Sequence, residues 1–476
     1  MAAPMVCVLC ALVLLKPQEF VPILAGVPIV HIFFVLCLVA GAADLVLGKL
    51  KLSIAPHVPI AIAFFVWAAF VTFVRSPQTF WQEVATFGVV FCVFGAVAFL
   101  SGTNKGANHV GTVFLLSTLF ASVVAILQAD GPLGCMMADP TDWGAKGMLE
   151  HDGRSCETSL DCRKDPPVWN ANYRCERMGP FGTSTIGGRV RYRGTLADPN
   201  ELSLAAAVAL PFALALSGRR SRSRKDGSPG STSNATENIL GRIFRTAAVL
   251  AAIATIGWMI VLSQSRMGVL VFLIVLGVAL LRRAGTWGVV LGCILLPPVL
   301  MFGGRDGADA DASSHERLDL MADAFSMIRQ SYGIGVGMGR FAPESTTGLT
   351  AHNSYLLAAS ETGLVGISLF TLMLYAGIKV PLCLWFGEHE LSPKLRGLSP
   401  AIAIALSGAC VGIFFLSWTY KEVLYVLLGL SAALYQAARA ENPRVHVTLG
   451  AREVAIVVCF ALALLPFVYA AVRILG

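Results

Sequence analysis

The chain has 476 residues, of which 56% are hydrophobic and only 14% are charged. Soluble domains carry about 25% charged residues, so the composition excludes a soluble globular enzyme or binding module. Apolar runs of about 18 residues or more recur along the whole sequence, and each is long enough to cross a bilayer as a helix. The sequence therefore predicts an all-α polytopic integral membrane protein.

The apolar runs predict about 12–13 transmembrane helices. They lie near residues 2–15, 28–48, 55–74, 80–100, 110–128, 200–217, 246–262, 267–281, 286–302, 353–378, 401–418, 423–437 and 453–472. The first run lacks a basic n-region and a small-residue cleavage site. We interpret it as a short or re-entrant helix rather than a removed signal peptide.

The basic residues divide unequally between the two sides that these helices define. With the N-terminus in the cytoplasm, the short outside loops contain only Lys16, Arg75, Arg266 and Lys421, with Arg473 in the tail. The inside loops contain Lys49, Lys51, Lys105, Arg219, Arg220, Arg222, Arg224, Lys225, Arg242, Arg245, Arg282, Arg283, Lys379, Lys394, Arg396, Arg439, Arg444 and Arg452. Cytoplasmic loops carry such an excess. The bias predicts the orientation and explains the net charge of +7 without a nucleic-acid partner.

This topology divides the chain into five parts. Residues 1–128 are N-terminal transmembrane helices, 129–199 a periplasmic loop with cysteines, 200–302 central transmembrane helices, 303–352 a periplasmic loop with an amphipathic helix, and 353–476 C-terminal transmembrane helices. The central part contains a basic cytoplasmic linker at 218–245. Its polar stretch, 217–242, has a composition typical of disorder.

Four clustered cysteines mark the first periplasmic loop: Cys135, Cys156, Cys162 and Cys175. Clustered cysteines on an oxidising face predict two disulfides that stabilise a small segment with little core of its own. Three pairings are possible. A zinc site is the alternative, although the spacing in this loop contains no CxxC pair.

The stretch "RVRYRGTLADPNELSLAAA" ends this loop and enters the sixth helix. Its DPN turn, at 198–200, contains a helix N-cap. Charged groups beside a bilayer are expensive and therefore informative. Arg193 is accordingly a candidate functional cation, with an ordinary loop charge as the alternative, whereas Arg189 and Arg191 are better interpreted as loop charges.

A second polar break interrupts "VLSQSRMGVLVFL" at residues 263–266. Four residues allow little more than a hairpin, so Arg266 must lie at the outer membrane–water boundary. It could extend towards lipid phosphates. The functional alternative is a fixed cation that faces an anionic group at the mouth of the helix bundle.

The third stretch begins with "SSHERLDLMADAFSMIRQSYG", which places Leu318, Met321, Phe325 and Ile328 on one helical face. This pattern predicts an amphipathic helix on the outer surface or over a cavity. The glycine-rich "GIGVGMGRF", at 333–341, then returns the chain to the membrane. It resembles a phosphate-binding loop, and a flexible turn is the alternative.

His352 precedes the apolar run in "AHNSYLLAASETGLVGISLF". With Asn353 or Ser354 as the cap, His352 lies at a helix N-terminus, where the dipole disfavours the imidazolium. A neutral imidazole is what a general base requires. Glu361 lies about 13 Å along the helix and on roughly the opposite face, so a partner of His352 must come from another segment.

These stretches together resemble, in order, the landmarks of the O-antigen ligase and polymerase family, over roughly residues 190–375. The resemblance implies a GT-C-like membrane fold and transfer of a glycan from undecaprenyl pyrophosphate to a periplasmic acceptor. It also implies that Arg193 and Arg266 hold the pyrophosphate and that His352 activates the acceptor hydroxyl. The remaining substrate-binding candidates are Arg317, which matches a family position, and Asn353, Gly335, Gly337, Arg340 and Asn200. The cysteine-bearing stretch 130–185 is longer than the family pattern.

We expect neither a metal nor a cofactor. The outer-face acids Asp198, Asp306, Asp309 and Asp311 show no ligand spacing, and the last three lie in a segment typical of a solvated loop. Arginine is the alternative to a metal, because its fork matches phosphate oxygens.

The functional alternatives stay open at this point. A ligase that joins a glycan to lipid A–core and a polymerase that extends a lipid-linked glycan would use the same donor. A protein O-oligosaccharyltransferase or a bicarbonate-type transporter are further alternatives. In the transferase interpretation, the enzyme lies in the bacterial inner membrane, with its active site facing the periplasm.

Overall fold

We describe a computed structural model over residues 1–24, 26–138, 150–164, 166–167, 172–217, 232–284 and 308–475. Its helices are α1 (Ala2–Leu15), α2 (Ile29–Val46), α3 (His57–Arg75), α4 (Phe80–Leu100), α5 (Asn104–Gln128), α6 (Ser159–Arg163), α7 (Pro199–Ser217), α8 (Thr232–Leu262), α9 (Arg266–Ala284), α10 (Ala308–Gln330), α11 (Phe341–Glu344), α12 (Ser354–Phe386), α13 (Pro393–Gly412), α14 (Glu422–Glu441) and α15 (Ala451–Leu475). Its strands are β1 (Leu133–Ala138), β2 (Glu150–Ser155) and β3 (Asn172–Arg177).

The prediction of an all-α polytopic membrane protein is confirmed. Nine helices of the described chain are long and apolar enough to cross a membrane, and α1 and parts of α7 and α9 form shorter apolar helices. These twelve helices correspond to twelve of the predicted apolar runs. The remaining run, at 286–302, lies outside the described residues.

The predicted disorder of the basic linker is wrong over its last part. Residues 218–231 lie outside the described chain, but α8 begins at Thr232 and continues without interruption to Leu262. Extending an existing helix fixes one residue for each new hydrogen bond, whereas starting one is unfavourable. The apolar segment therefore propagates its helix backwards into the polar sequence.

The core of the bundle forms around α14, which is buried along almost its whole length. The helices α4, α5, α12 and α13 pack against it. Aromatic rings join α14 to its neighbours: the Tyr425 ring lies 5.4 Å from that of Phe87, whose ring also lies 6.1 Å from that of Phe64. Edge-to-face contacts of this kind add to the stabilisation from buried area.

Polar contacts at one end of the bundle join connections that the charge pattern assigns to the outside. Arg75 donates from Nη2 to the Ser331 carbonyl at 2.9 Å, and Tyr192 donates to the Leu15 carbonyl at 3.1 Å. We call this end the outer end, defined by the connections at 16–28, 76–79, 129–198, 263–265, 331–353 and 413–421.

The opposite end joins connections that the charge pattern assigns to the inside. Lys379 pairs with Glu453 at 2.6 Å, and the Ser392 N–H donates to Glu441 at 2.9 Å. The N-terminal amine pairs with Asp44 at 2.7 Å, near the end of α2. Because α1 ends beside Tyr192 at the outer end, this short helix runs from one end of the bundle to the other.

The cysteine-bearing loop contains a three-stranded antiparallel sheet with the order β2-β1-β3. Disulfides join Cys135 to Cys162 and Cys156 to Cys175. The first attaches β1 to α6, and the second attaches the residue after β2 to β3. Since these four sulfurs are bonded in pairs, none is a thiolate that could bind zinc.

The amphipathic helix α10 packs on the outer half of the bundle. Its buried residues, Leu320, Ala324 and Met327, belong to a second apolar cluster with residues of α12 and α15. Phe325 extends the contact, because its ring lies 5.3 Å from that of Tyr469 on α15. The face predicted from the sequence is therefore correct to within one residue.

The glycine-rich segment after α10 packs against a break in α12. At Gly363, φ is +73° and the helical path is interrupted. The freed backbone groups bond to the segment: Val336 N donates to the Ser360 carbonyl, Gly337 N to the Glu361 carbonyl and Leu364 N to the Gly333 carbonyl, each at 2.9 Å. This exchange satisfies a broken helix inside the protein, as a membrane environment requires.

We predict that Gly335→Ala destabilises the protein. A Cβ at this position would lie 2.4 Å from the Glu361 carbonyl oxygen, and φ is +100°. The expected destabilisation is about 2 kcal/mol or more, because a rigid backbone clash adds to the strain of positive φ. The matched control is Gly348→Ala, where φ is +73° and no atom lies within 4 Å. Thermal denaturation of the purified protein tests this, and equal shifts in both variants would contradict the close packing.

Candidate functional site

The first turn of α12 is fixed by polar contacts on both sides. The Asn353 side chain is fully buried, and its Oδ1 accepts from the N–H groups of Tyr355 and Leu356, each at 3.0 Å. This is the N-cap predicted from the sequence. The Nδ2 atom of Asn353 is also buried and has no acceptor among the residues that the structure describes. A donor therefore remains at the start of the helix.

Ser354 attaches this turn to the connection between α13 and α14. Its hydroxyl donates to the Leu416 carbonyl at 2.6 Å and accepts from Trp418 N at 2.7 Å. Its N–H donates to the Ile413 carbonyl, and its own carbonyl accepts from the Thr419 hydroxyl, each at 2.9 Å. These four bonds from one residue fix the start of α12, and His352 lies only two residues before Ser354.

His352 adopts a left-handed conformation, with φ of +47°. Non-glycine residues rarely adopt this conformation, and strained backbone of this kind is concentrated at functional sites. Burial lowers the pKa of His352 below its usual value near 6.5. The charges of Asp198 and Glu316 act to raise this pKa, and that of Arg317 acts to lower it. With burial as the largest effect, the imidazole is neutral at pH 7.

Asp198, whose charge acts on His352, immediately precedes α7. Asp198 Oδ1 accepts from Asn200 N at 2.7 Å and from Glu201 N at 3.3 Å, which caps the helix. One turn inside, Glu201 pairs with Lys421 at 3.4 Å. The negative charge of Glu201 raises the pKa of Lys421 above its usual value near 10.5, so Lys421 stays a cation.

These bonds bring α7 and α12 to one short connection. Lys421 holds Glu201 at the start of α7, and Thr419, two residues earlier, holds Ser354 at the start of α12. Asp198 and His352 immediately precede these anchored turns. Asp198 is close enough for its charge to act on the titration of His352.

The polar break before α9 packs beside the start of α7. The hydroxyls of Ser263 and Ser203 are 2.6 Å apart, and Arg189 donates from Nε to the Ser263 carbonyl at 2.8 Å. Ser265 Oγ accepts from Gly268 N at 3.1 Å and caps α9. Arg266, the first residue of α9, is exposed. The break thus presents a cation at the outer end, close to α7.

Arg193 is buried, at 7% exposure, and lies beside the connection that follows α1. Its Nη1 donates to the Glu19 carbonyl at 2.8 Å, while its Nε is buried without an acceptor among the described residues. The described contacts therefore join Arg193 to the α1 end of the site and not directly to His352. The sequence predicts Arg193 and His352 on the same face of the membrane, but a common face does not require the two side chains to be in contact.

The interpretation of Arg189 and Arg191 as ordinary loop charges is wrong. Both are buried, at 6% and 4% exposure. Arg189 also donates from Nη2 to Asn200 Oδ1 at 2.9 Å, and Arg191 donates from Nε to the Ser184 carbonyl at 2.9 Å. They fix the loop to the bundle, because a guanidinium provides several donors in a rigid fork.

Three predicted substrate-binding residues have contacts that explain them structurally. Gly335 N donates to Ser331 Oγ at 3.2 Å and Gly337 N donates to the Glu361 carbonyl at 2.9 Å, so both N–H groups already have acceptors. Arg340 pairs with Glu344, one turn later, at 2.9 Å. The geometry favours a packing role for these glycines over a phosphate-binding one.

Asp198, Glu201 and Lys421 were not among the predicted site residues. From the sequence alone, Asp198 is interpreted only as part of a helix cap and as an acid without metal-ligand spacing. Lys421 stands in "WTYKEV", at the edge of an apolar run, and an isolated charge in that position was a usable signal. The pairing between distant segments could not be inferred from one sequence.

The structure places the acidic segment differently from the sequence expectation. Asp306 lies outside the described residues, whereas Asp309 and Asp311 belong to the first turn of α10, so they are not in a solvated loop. Among the described residues, the close group of three potential metal ligands consists of Cys135, Cys156 and Cys162, which are bonded in disulfides.

Residues 249–371 match the family model described as O-antigen ligase. The match begins in α8 and ends in α12, so it includes Arg266, Arg317 and His352 but not Arg193 or Asp198. The chain therefore carries a domain of the O-antigen ligase family. No curated protein matches the chain.

We predict that neighbouring charges move the titration of His352 in opposite directions. Asp198→Asn keeps a helix cap and removes the charge that raises the pKa of His352, so the midpoint moves to lower pH. Arg317→Gln moves it to higher pH. Diethyl pyrocarbonate acylates the neutral imidazole, and mass mapping of the His352 peptide across pH gives the midpoint.

The matched control for this titration is Asp323→Asn. Asp323 also lies at the outer end, but it accepts from Thr346 N at 2.9 Å and from Thr346 Oγ1 at 2.8 Å. We expect no change in the His352 midpoint in this variant. A midpoint that stays constant in Asp198→Asn and Arg317→Gln would contradict the arrangement described above.

Proposed function

We propose that this chain, which carries an O-antigen ligase domain, transfers a glycan from undecaprenyl pyrophosphate to a hydroxyl of an acceptor saccharide at the periplasmic face of the inner membrane. The observation that supports this most strongly is the surroundings of His352. A neutral imidazole lies at a rigid helix start, near a carboxylate and an arginine. A general base needs such a setting.

In the proposed reaction, a ring nitrogen of His352 takes the proton of the acceptor hydroxyl. The acceptor oxygen then forms a bond to the anomeric carbon of the donor sugar. The bond between that carbon and the phosphate oxygen breaks, and its electron pair leaves with the diphosphate. His352 becomes an imidazolium, and its proton passes to solvent or to the departing phosphate.

Asp198 supports the proton-transfer step. Its Oδ1 is occupied by the N–H groups that it caps, but the carboxylate charge still reaches His352 and favours its protonated form. This charge stabilises the imidazolium as it forms, in the way that a carboxylate partner assists a catalytic histidine. Burial keeps the resting imidazole neutral, so the base is ready before the acceptor binds.

Cations of the outer end neutralise the diphosphate in this proposal. Arg266 is exposed at the start of α9, and Arg317 lies near enough to His352 to affect its titration. Arginine forks bind phosphate oxygens with two parallel bonds. Arg193 serves the same anion from the α1 side, where its Nε remains without a described acceptor. Together these groups stabilise the leaving group without a divalent metal.

The acceptor distinguishes two forms of this activity. A ligase uses a hydroxyl of lipid A–core, whereas a polymerase uses a hydroxyl of another lipid-linked glycan. Asn353 is a candidate contact for either acceptor, because its free Nδ2 is adjacent to the proposed base. The surface polysaccharide of a deletion strain separates the two: core without O-chain indicates a ligase, and single-repeat products indicate a polymerase.

We predict that His352→Ala lowers the transfer rate by about 10²–10⁴-fold, the usual contribution of a general base. Binding of the lipid-linked donor should be unchanged, because the cations of the site remain. The measurement is transfer by the purified protein from a lipid diphosphate-linked glycan to the acceptor, with donor binding measured separately.

The control for this experiment is His315→Ala, an exposed histidine on α10 at the same end of the bundle. We expect this variant to transfer at the normal rate. If His352→Ala also transfers at a nearly normal rate, His352 is a boundary residue and the proposed mechanism fails.

We predict that transfer continues in the presence of EDTA and that Arg266→Lys reduces it about tenfold or more, because lysine retains the charge but loses the bidentate fork. Arg329→Lys, at an exposed position near the end of α10, provides the matched control. Loss of transfer on chelation, with recovery on addition of magnesium or manganese, would show that a metal neutralises the diphosphate.

A further inference from the structure

A cavity of about 340 Å³ opens at the end of the bundle opposite the candidate functional site. It lies between the α2–α3 connection, the α4–α5 connection and the last turn of α14. Its lining includes Lys49, Lys51, Thr103, Asn104, Lys105 and Glu441. We call it the lysine cavity. Its volume falls within the range of small-molecule sites.

Three ammonium groups surround the lysine cavity. Lys49, Lys51 and Lys105 are exposed, and within the described parts of the chain no hydrogen bond or ion pair joins their side chains to another residue. Asp44, the acid nearest in sequence to Lys49, is already paired with the N-terminal amine at 2.7 Å. The Lys49 charge also acts on the Asp44 carboxylate, but none of the three lysines forms an ion pair within the described residues.

The acid in the lining already has partners. Glu441 accepts through Oε1 from Asn104 Nδ2 and through Oε2 from Ser392 N at 2.9 Å. Three lysines and one carboxylate leave the cavity with an excess of two positive charges. A carboxylate held in this way by two donors can stay in place when an anion enters.

The start of α5 strengthens the preference for an anion. Thr103 caps the helix by accepting from Gly106 N at 3.0 Å. Asn104 and Lys105 are the first two residues of the helix. Their N–H groups have no acceptor within the helix, because no carbonyl precedes them at the required spacing. These groups and the positive end of the helix dipole add to the charges of the lysines. The cavity thus offers a built cluster of donors, unlike a single helix end.

The surroundings of the lysine cavity favour a lipid over a soluble anion. Large apolar side chains are exposed on both sides of Lys49 and Lys51 in the sequence: Val46 at 88%, Leu47 at 58%, Leu52 at 53% and Ile54 at 64%. Such a group of exposed apolar residues beside basic ones fits acyl chains next to a charged headgroup.

We propose that the lysine cavity binds the phosphate ester of an anionic phospholipid, with its acyl chains against the exposed apolar residues of the α2–α3 connection. An excess of basic residues in inside loops sets the orientation of a membrane protein, but that signal requires no cavity. The convergence of two connections and one helix end around a single donor cluster is the feature that favours a ligand.

The experiment is native mass spectrometry of the full-length protein with added lipids. We expect phosphatidylglycerol to bind more tightly than phosphatidylcholine. The triple variant Lys49→Gln, Lys51→Gln, Lys105→Gln should weaken phosphatidylglycerol binding by about 10²-fold, since each basic residue contributes roughly a fivefold factor near an anionic lipid. The tightly bound lipid should disappear while the protein stays folded, as judged by its thermal denaturation midpoint.

The matched control is the triple variant Lys394→Gln, Arg396→Gln, Arg444→Gln, which removes three basic residues at the same end but outside the lysine cavity. Equal weakening in the two triple variants would show general attraction and overturn the proposal. Equal binding of phosphatidylcholine would also overturn it. Displacement of phosphatidylglycerol by micromolar inorganic phosphate, lost in the lysine variant, would assign the cavity to a soluble anion and overturn the lipid assignment.

Discussion

Ser354 fixes the start of α12 to the α13–α14 connection through four hydrogen bonds, and the arrangement of the outer end depends on this contact. The same connection reaches α7 through the Lys421–Glu201 pair. Without it, the helix starts that carry Asp198 and His352 would have no common support. Side chains that must meet within a hydrogen-bond length need such preorganisation, because a displacement of about 1 Å is enough to impair a reaction.

The break in α12 at Gly363 also helps to position the first part of this helix at the outer end. A straight helix of 33 residues would be about 50 Å long, well beyond the thickness of a hydrocarbon core of about 30 Å. Interrupting the helix lets its first part turn against the glycine-rich segment, which supplies backbone partners at 333, 336 and 337. Glu361 adds a bond from the Phe341 N–H at 3.0 Å. The glycines of this segment are therefore explained by close backbone approach.

Much of this fold could be predicted from the sequence because the bilayer imposes simple constraints. The lengths of the apolar runs predicted the helices. The distribution of basic residues assigned the connections to two sides, and polar contacts in the structure join connections within each side. The caps at Asn353 and at the DPN turn were also predictable, since they depend on local chemistry. What could not be predicted depends on contacts between distant segments.

The buried arginines illustrate this limit. Arg189 and Arg191 have the composition and spacing of loop charges, and only the tertiary structure provides Asn200, Ser263 and Ser184 as their partners. The partner of His352 posed the same problem. Geometry along the helix excluded Glu361, but a single sequence contains no information that selects Asp198 over other acids of the outer end.

The proposed chemistry makes two opposite demands on groups that lie close together. The base must be neutral before reaction, whereas the cations that bind a diphosphate must stay charged. The structure offers different environments for them: His352 is partly buried behind anchored turns, and Arg266 stands exposed at a helix start. Burial disfavours a charge on imidazole, but arginine keeps its charge in almost any environment. With histidine at the partly buried position and arginine at the exposed one, a neutral base and a charged phosphate-binding group can exist at the same pH. The Asp198 carboxylate then stabilises the imidazolium once the proton has moved.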